Sequence, residues 1–202
     1  MILLLALLVA VLIALPLGGK LSELGHMGLR YGWLTIFALV LQFYTICFPA
    51  AKDTVEFQIG GIVLVGSYLL LLVAVWANRG LPGVKIVGVG LLMNLAVIAA
   101  NGGYMPVAPE ALVQAGLENL APGLEPGARV ANTKDIVLVA AETRLWFLAD
   151  VFVVPRPWPI RMVFSAGDVL IALGAFVLVQ AGMGVNPFSR LALPTKAHLT
   201  RP

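Results

Sequence analysis

A single cysteine, two histidines and a shortage of charge are the first things the 202-residue chain shows. Cys47, alone in an apolar run, excludes an internal disulfide. With only His26 and His198 to accompany it, a structural zinc site is not expected, and no metal or other cofactor is implied. Charged residues make up 11% of the chain against about a quarter in soluble domains, and 60% of residues are hydrophobic. That deficit excludes an ordinary soluble surface and points to an integral membrane protein. The net charge of +3 is no argument for nucleic acid, because the basic residues are spread along the chain so as to orient it in a bilayer.

What is present is a series of long apolar runs. Five of them, at 2–17, 33–50, 59–77, 84–100 and 167–183, have or approach the ~20 helical residues that cross a hydrocarbon core. The first run has no basic residue ahead of it, and "ALPLGGKLS" is a poor cleavage site. It is expected to stay as a helix and not to be removed as a signal peptide. With five spans, one side of the membrane holds Lys20, Arg30, Arg79, Lys85, Arg190, Lys196 and Arg201 against the lone acid Glu23. The other holds Lys52, Arg129, Lys134, Arg144, Arg156 and Arg161 against nine acids. The basic side faces the cytoplasm, which sets the N-terminus outside and the C-terminus inside. The expected fold is thus an all-α integral membrane protein, one domain over 1–202, in the cell membrane.

The third, fourth and fifth runs carry small residues, as in "IGGIVLVGS" and "VGVGLLMNLAVIAAN", that let helix backbones approach. Residues 102–163 form the expected outer segment. Pro109 opens and Gly116 closes a short helix over Pro109–Ala115. The run 133–152 reads as a second surface helix capped by Thr133, with Trp146 at the interface. A sixth span there would place Glu142, Arg144 and Asp150 in lipid. "VVPRPWPIR" then connects, stiffened by proline, to the last helix.

Asp168, at the start of that last run, has a structural explanation. Ser165 and Asp168 are spaced as a capping box, and a carboxylate there faces the positive end of the helix dipole. It also has company on the outer face: Asp150, Asn101, Tyr104 and Arg144, with Asn94 one helical face away from Asn101 and suited to bond a neighbouring helix. Two carboxylates brought close cannot both ionise cheaply. One then serves as base for a water while the other donates a proton, the logic of aspartic hydrolysis. Asp150 and Asp168 are the candidate catalytic pair. Asn94, Asn101, Tyr104, Arg144 and Ser165 are the candidate binding residues.

"ANGGYMPVAPEAL", "ETRLWFLADVFVVP" and "VFSAGDVLIALG" together resemble a family of bacterial multi-span membrane proteins of unknown function, over most of the chain. A shorter stretch resembles lipoprotein signal peptidases, membrane aspartic proteases of the outer face. Phe164-Ser165-Ala166-Gly167-Asp168 is similar to their F-N-x-A-D helix start, and Ala149-Asp150-Val151 to the setting of their other aspartate. Ser165 stands where that pattern has Asn and Gly167 where it has Ala, and their Asn-x-Gly segment has no counterpart. The resemblance implies an aspartate-dependent hydrolase acting on a lipid-linked or membrane-embedded substrate. The residues taken alone favour a non-catalytic subunit or binding protein, whose partners are the bilayer and another membrane protein. A transporter ranks last, since the mid-span polar groups are Asn94, Gln42 and Thr45.

Overall fold

Five helices line up with the five apolar runs. The computed structural model describes residues 2–50 and 52–185, and the C-terminal charges counted above (Arg190, Lys196, Arg201) lie outside them. The helices are α1 (Ile2–Ala14, extended by one tight turn to Leu17), α3 (Gly32–Cys47), α4 (Val55–Ala77), α5 (Val84–Ala100) and α7 (Ala166–Gly182). A single turn, α2 (Leu21–Leu24), follows α1, and α6 (Pro109–Ala115) has the bounds that Pro109 and Gly116 set. Helix α4 starts four residues before its apolar run because Thr54 caps it, its side chain accepting from the Phe57 amide. Among the described helices α4 alone, at 23 residues, is both long and apolar enough to cross a membrane by those criteria; the other four are shorter apolar helices.

The helices pack in the order α3, α4, α5, α7, α1, each touching the next. The closest seam is between α5 and α7, where small residues face one another. A Cβ added at Gly90 would lie 2.5 Å from the Gly167 carbonyl oxygen, and one added at Gly174 would lie 2.6 Å from that of Gly83. Such an approach needs glycine on both sides.

Residues 102–163 are not all helical, so the fold is mostly helical and not all-α. Strand β1 (Met105–Val107) pairs in parallel with β2 (Asp135–Val137), and β3 (Phe152–Val154) pairs antiparallel with β4 (Met162–Phe164). The helix expected over 133–152 does not form, and the sixth-span alternative falls with it. Thr133 does not cap a helix: its Oγ1 accepts from the Asp135 amide two residues on, a tight side-chain turn that delivers the chain into β2. Leu145 has left-handed backbone angles (φ 54°), and only Trp146–Leu148 coil, as one tight turn. The β-branched residues Ile136, Val137, Val151, Val153 and Val154 suit the pleated arrangement better than a helix.

These strands make a cap inserted between α5 and α7. Its own core is Val107, Leu112, Ala121, Val130 and Val137. A second core joins cap to helices, through Leu64 and Tyr68 of α4, Leu91, Val97 and Ile98 of α5, and Tyr104, Met105 and Ile136 above them. Arg129 adds a polar tie: its guanidinium lies 4.0 Å above the Tyr104 ring and donates to the carbonyls of Thr133 (2.9 Å) and Thr45 (3.3 Å).

Candidate functional site

Where cap and helices meet, seven polar side chains converge. Helix α5 supplies Asn94, α4 supplies Tyr68, and the first turn of α7 supplies Ser165 and Asp168. The cap supplies Lys134 and Asp135 at the entry to β2. It also supplies Asp150, whose backbone joins the β1 edge by a bridge to Val107 and an amide bond to the Pro106 carbonyl (3.1 Å).

The capping box of α7 forms. Ser165 Oγ accepts from the Asp168 amide (3.0 Å), and the Ser165 amide donates to Asp168 Oδ2 (3.4 Å). Asn94 adds an interhelical branch: its Nδ2 donates to Asp168 Oδ1 (2.7 Å), and its Oδ1 accepts from Ser165 Oγ (2.9 Å). Gly167 makes this possible, because a Cβ there would collide with the Asn94 side chain. The cap closes the network through Lys134, whose Nζ donates to Tyr68 Oη (3.2 Å) and lies 3.4 Å from Asp168 Oδ1. Both partners of the ion pair are largely buried, with side chains 19% and 18% exposed.

Three carboxyl groups therefore act on one ammonium, Asp168 in contact with it and Asp150 and Asp135 through their charge. Burial disfavours the Lys134 charge, but the Tyr68 oxygen and the carboxylates of Asp168, Asp150 and Asp135 outweigh it, and the ammonium is held well above its ordinary pKa. Burial raises Asp135 to about 6, with Lys134 the chief opposing influence. Asp150 is only 3% exposed. Burial, then the charges of Asp135 and Asp168, push its carboxyl well above the usual range against the pull of Lys134. Its Oδ1 is buried without a hydrogen-bond partner. Of the three carboxyl groups, Asp150 is thus the one that burial and its acidic neighbours push toward the neutral form, while Asp168 is the one paired with the ammonium. That distribution avoids two uncompensated buried negative charges.

The raised carboxyl groups set the sign of the pH dependence. The folded state binds protons at Asp135 and Asp150 that the unfolded chain releases near pH 4. Their contribution is complete below about pH 4 and is lost as pH rises through the folded pKa values, the first near 6. Thermal unfolding in detergent at pH 5 and pH 8 is expected to give a lower midpoint at pH 8. Asp150→Asn, which mimics the neutral acid, is expected to narrow that difference.

Of the residues anticipated from sequence, Asn94, Ser165 and Asp168 are joined by hydrogen bonds, and Asp150 is buried within the electrostatic reach of Asp168 with no side-chain hydrogen bond to them among the described residues. Asn101, Tyr104 and Arg144 do not join them through any hydrogen bond among the described residues, which corrects their grouping. Asn101 instead clamps the loop: its Oδ1 accepts from the Arg144 amide (2.9 Å) and its Nδ2 donates to the carbonyls of Arg144 (2.8 Å) and Val97 (2.7 Å). Tyr104 donates to the Phe57 carbonyl (2.7 Å) and packs as a core ring. Asn101 and Arg144 also line an open cleft of about 320 Å³ with Lys52, Asp53 and Glu142. Replacing Asn101 with alanine is expected to free residues 140–148 and raise the rate of tryptic cleavage after Arg144 at least fivefold, read by mass spectrometry, while the helices stay intact.

Lys134, Asp135 and Tyr68 are the members that sequence reasoning missed. Lys134 and Asp135 had been counted only for membrane orientation. Their adjacency at the head of the β-branched run Ile136-Val137 was the available signal that opposite charges meet where a strand begins. Among the described residues no group of three or more His, Cys, Asp or Glu side chains is arranged to hold a metal ion.

The profile of a family of unknown function (DUF5317) matches residues 26–180. An uncharacterised protein of Thermotoga maritima is 30% identical over 119 residues, and the aligned part spans 57% of this chain and 61% of that relative. No solved structure matches. On the extent of the profile match, the chain belongs to the DUF5317 family.

Proposed function

We propose that this DUF5317 member is a multi-pass protein of the cell membrane, with α1, α3, α4, α5 and α7 as its five spans and the cap on the outer face. Its role is that of a non-catalytic subunit or binding protein presenting a polar site built on Asn94, Lys134, Asp150, Ser165 and Asp168. The observation that carries the reading is the division of the surface. Large apolar side chains on α1, α3 and α4 point outward, Leu4 at 68% exposure, Phe43 at 66% and Ile62 at 72% among them, while buried polar groups gather beneath the cap. Soluble monomers rarely expose contiguous apolar patches beyond a few hundred Å². Helices of 16 or 17 residues span roughly 25 Å at ~1.5 Å per residue, close to the ~30 Å of a bilayer core.

The non-catalytic part of the reading rests on how Asp168 is occupied. Its oxygens accept from Asn94, Lys134 and the Ser165 amide, the pattern of a carboxylate that holds elements together. Topology is tested by labelling in intact cells. With Cys47 replaced by serine, a cysteine at Glu142 is expected to react with a membrane-impermeant maleimide and a cysteine at Lys85 to stay protected. The reverse pattern would sink the orientation.

One observation favours a second reading, an aspartate-dependent hydrolase of a lipid-linked or membrane-embedded substrate. Asp150 is buried, its carboxyl is pushed well above the usual range by burial and by the charges of Asp135 and Asp168, and its Oδ1 has no hydrogen-bond partner among the described residues, as the proton-donating member of an aspartic pair would require. Complementation of a chromosomal deletion separates the two. The binding reading expects Asp150→Asn to restore the wild-type phenotype. Loss of complementation at an unchanged level of folded protein would favour the hydrolase.

A further inference from the structure

The opposite end of the helices holds a second constructed feature. There the turn leading into α3 is fastened to the end of α4 by Asn78. The Asn78 Oδ1 accepts from the Arg30 amide (2.8 Å), and its Nδ2 donates to the carbonyls of Arg30 (2.8 Å) and Ala74 (2.8 Å). The clamp holds Arg30 and Tyr31 against Trp76 and Arg79 around an open, cleft-like cavity of about 570 Å³, whose remaining lining residue is Ala77. That volume lies within the ~300–1,000 Å³ usual for small-ligand sites.

The chemistry of the lining is one-sided. Two arginines, Arg30 and Arg79, line it, and no carboxylate pairs with either among the described residues. The Arg79 guanidinium is set in place, 4.5 Å above the Trp76 ring, with Nη1 donating to the Trp76 carbonyl (3.0 Å). A helix C-terminus would ordinarily repel an anion. Here the last carbonyls of α4 are already occupied: those of Ala74 and Val75 accept from the Asn78 amide, and that of Trp76 accepts from the Arg79 amide. The charge among the lining residues is then that of the two guanidinium groups, whose planar forks match a tetrahedral oxyanion. Trp76 and Tyr31 are both well exposed, as amphipathic rings at headgroup level are.

From these observations we infer that the Arg30–Tyr31–Trp76–Arg79 cavity binds a phosphate ester anion, and that its occupant is the headgroup of an anionic phospholipid on the basic side of the membrane. The lipid source rests on the five-span reading; the phosphate chemistry does not.

The test uses the full chain in a nonionic detergent. Native mass spectrometry after incubation with equal amounts of phosphatidylglycerol and phosphatidylcholine is expected to show phosphatidylglycerol retained preferentially. Arg30→Gln with Arg79→Gln should lower that retention at least tenfold. Arg30→Gln alone, which leaves the backbone bonds to Asn78 in place, should lower it severalfold at an unchanged unfolding midpoint. In a second arm, millimolar inorganic phosphate should displace the retained lipid. Stabilisation by inorganic phosphate without any preference for phosphatidylglycerol would overturn the lipid source and leave a free phosphate anion as the occupant. Equal retention of both lipids, or retention indifferent to both substitutions, would overturn the site. Neither result would bear on the topology, which the maleimide labelling tests separately.

Discussion

Lys134→Met is expected to cost about 3 kcal/mol of stability, the lower end of the range for breaking a buried ion pair, because the side chains of Lys134 and Asp168 keep roughly a fifth of their exposure. The loss has little to do with Lys134 packing. It comes from leaving Asp168 near Asp150 and Asp135 without its paired ammonium, the Arg129 guanidinium acting only on Asp135, so that one more buried carboxyl must take up a proton or remain uncompensated. The double variant Lys134→Met/Asp168→Asn should therefore recover about half of the loss. The asparagine can keep the bond from Asn94 and removes the orphaned charge. Unfolding by denaturant in detergent micelles measures both. A single-variant cost below about 1 kcal/mol would mean that the pair is in effect a surface pair, and the account of the buried cluster would not survive it.

The second large effect is expected at Gly167. Valine there would place its Cβ on the Asn94 side chain and 2.8 Å from the Gly90 carbonyl oxygen, backbone that cannot move without separating α5 from α7. Overpacking of this kind costs ~1–3 kcal/mol, and loss of the Asn94 bonds to Ser165 and Asp168 adds about 1 kcal/mol each. A sum near 4 kcal/mol is a large part of what holds a small protein together, so Gly167→Val should accumulate little folded protein. Gly66 on α4 provides the contrast. Nothing lies within 4 Å of a Cβ built there, and alanine should be neutral or stabilising by up to ~1 kcal/mol. Fluorescence-detected size-exclusion profiles of the two variants side by side make the comparison. Equal peaks would show that the seam tolerates separation.

The parts of this architecture that were legible in the sequence are those governed by local pattern. Apolar runs placed five helices to within a few residues, Pro109 and Gly116 fixed α6, and the Ser165–Asp168 spacing foretold its capping box. Asn94 was read as a residue that bonds a neighbouring helix, and it bonds α7. The failures share one cause, partners distant in sequence. The run 134–154 has the composition and length of a helix, but Asn101 captures its backbone from 43 residues away, and β1 captures Asp135–Val137 from 30 residues away. Lys134 counted only toward membrane orientation because its counterpart Asp168 is 34 residues downstream and Tyr68 is 66 upstream. Tertiary pairing outweighed propensity here, as it commonly does for half-buried β-branched segments.

The position of the cap between α5 and α7 also bears on how the chain is assembled as it is made. Synthesis delivers Asn94 first, then Lys134, then Asp150, and only afterwards the turn carrying Ser165 and Asp168. Until α7 arrives, the amide on α5 lacks the acceptor it finally holds, and the lysine has no Asp168 to neutralise it. Helix α7 therefore completes both the bundle and the polar cluster beneath the cap in one event, and a nascent chain stopped before residue 166 would carry a cap seated on α4 and α5 alone.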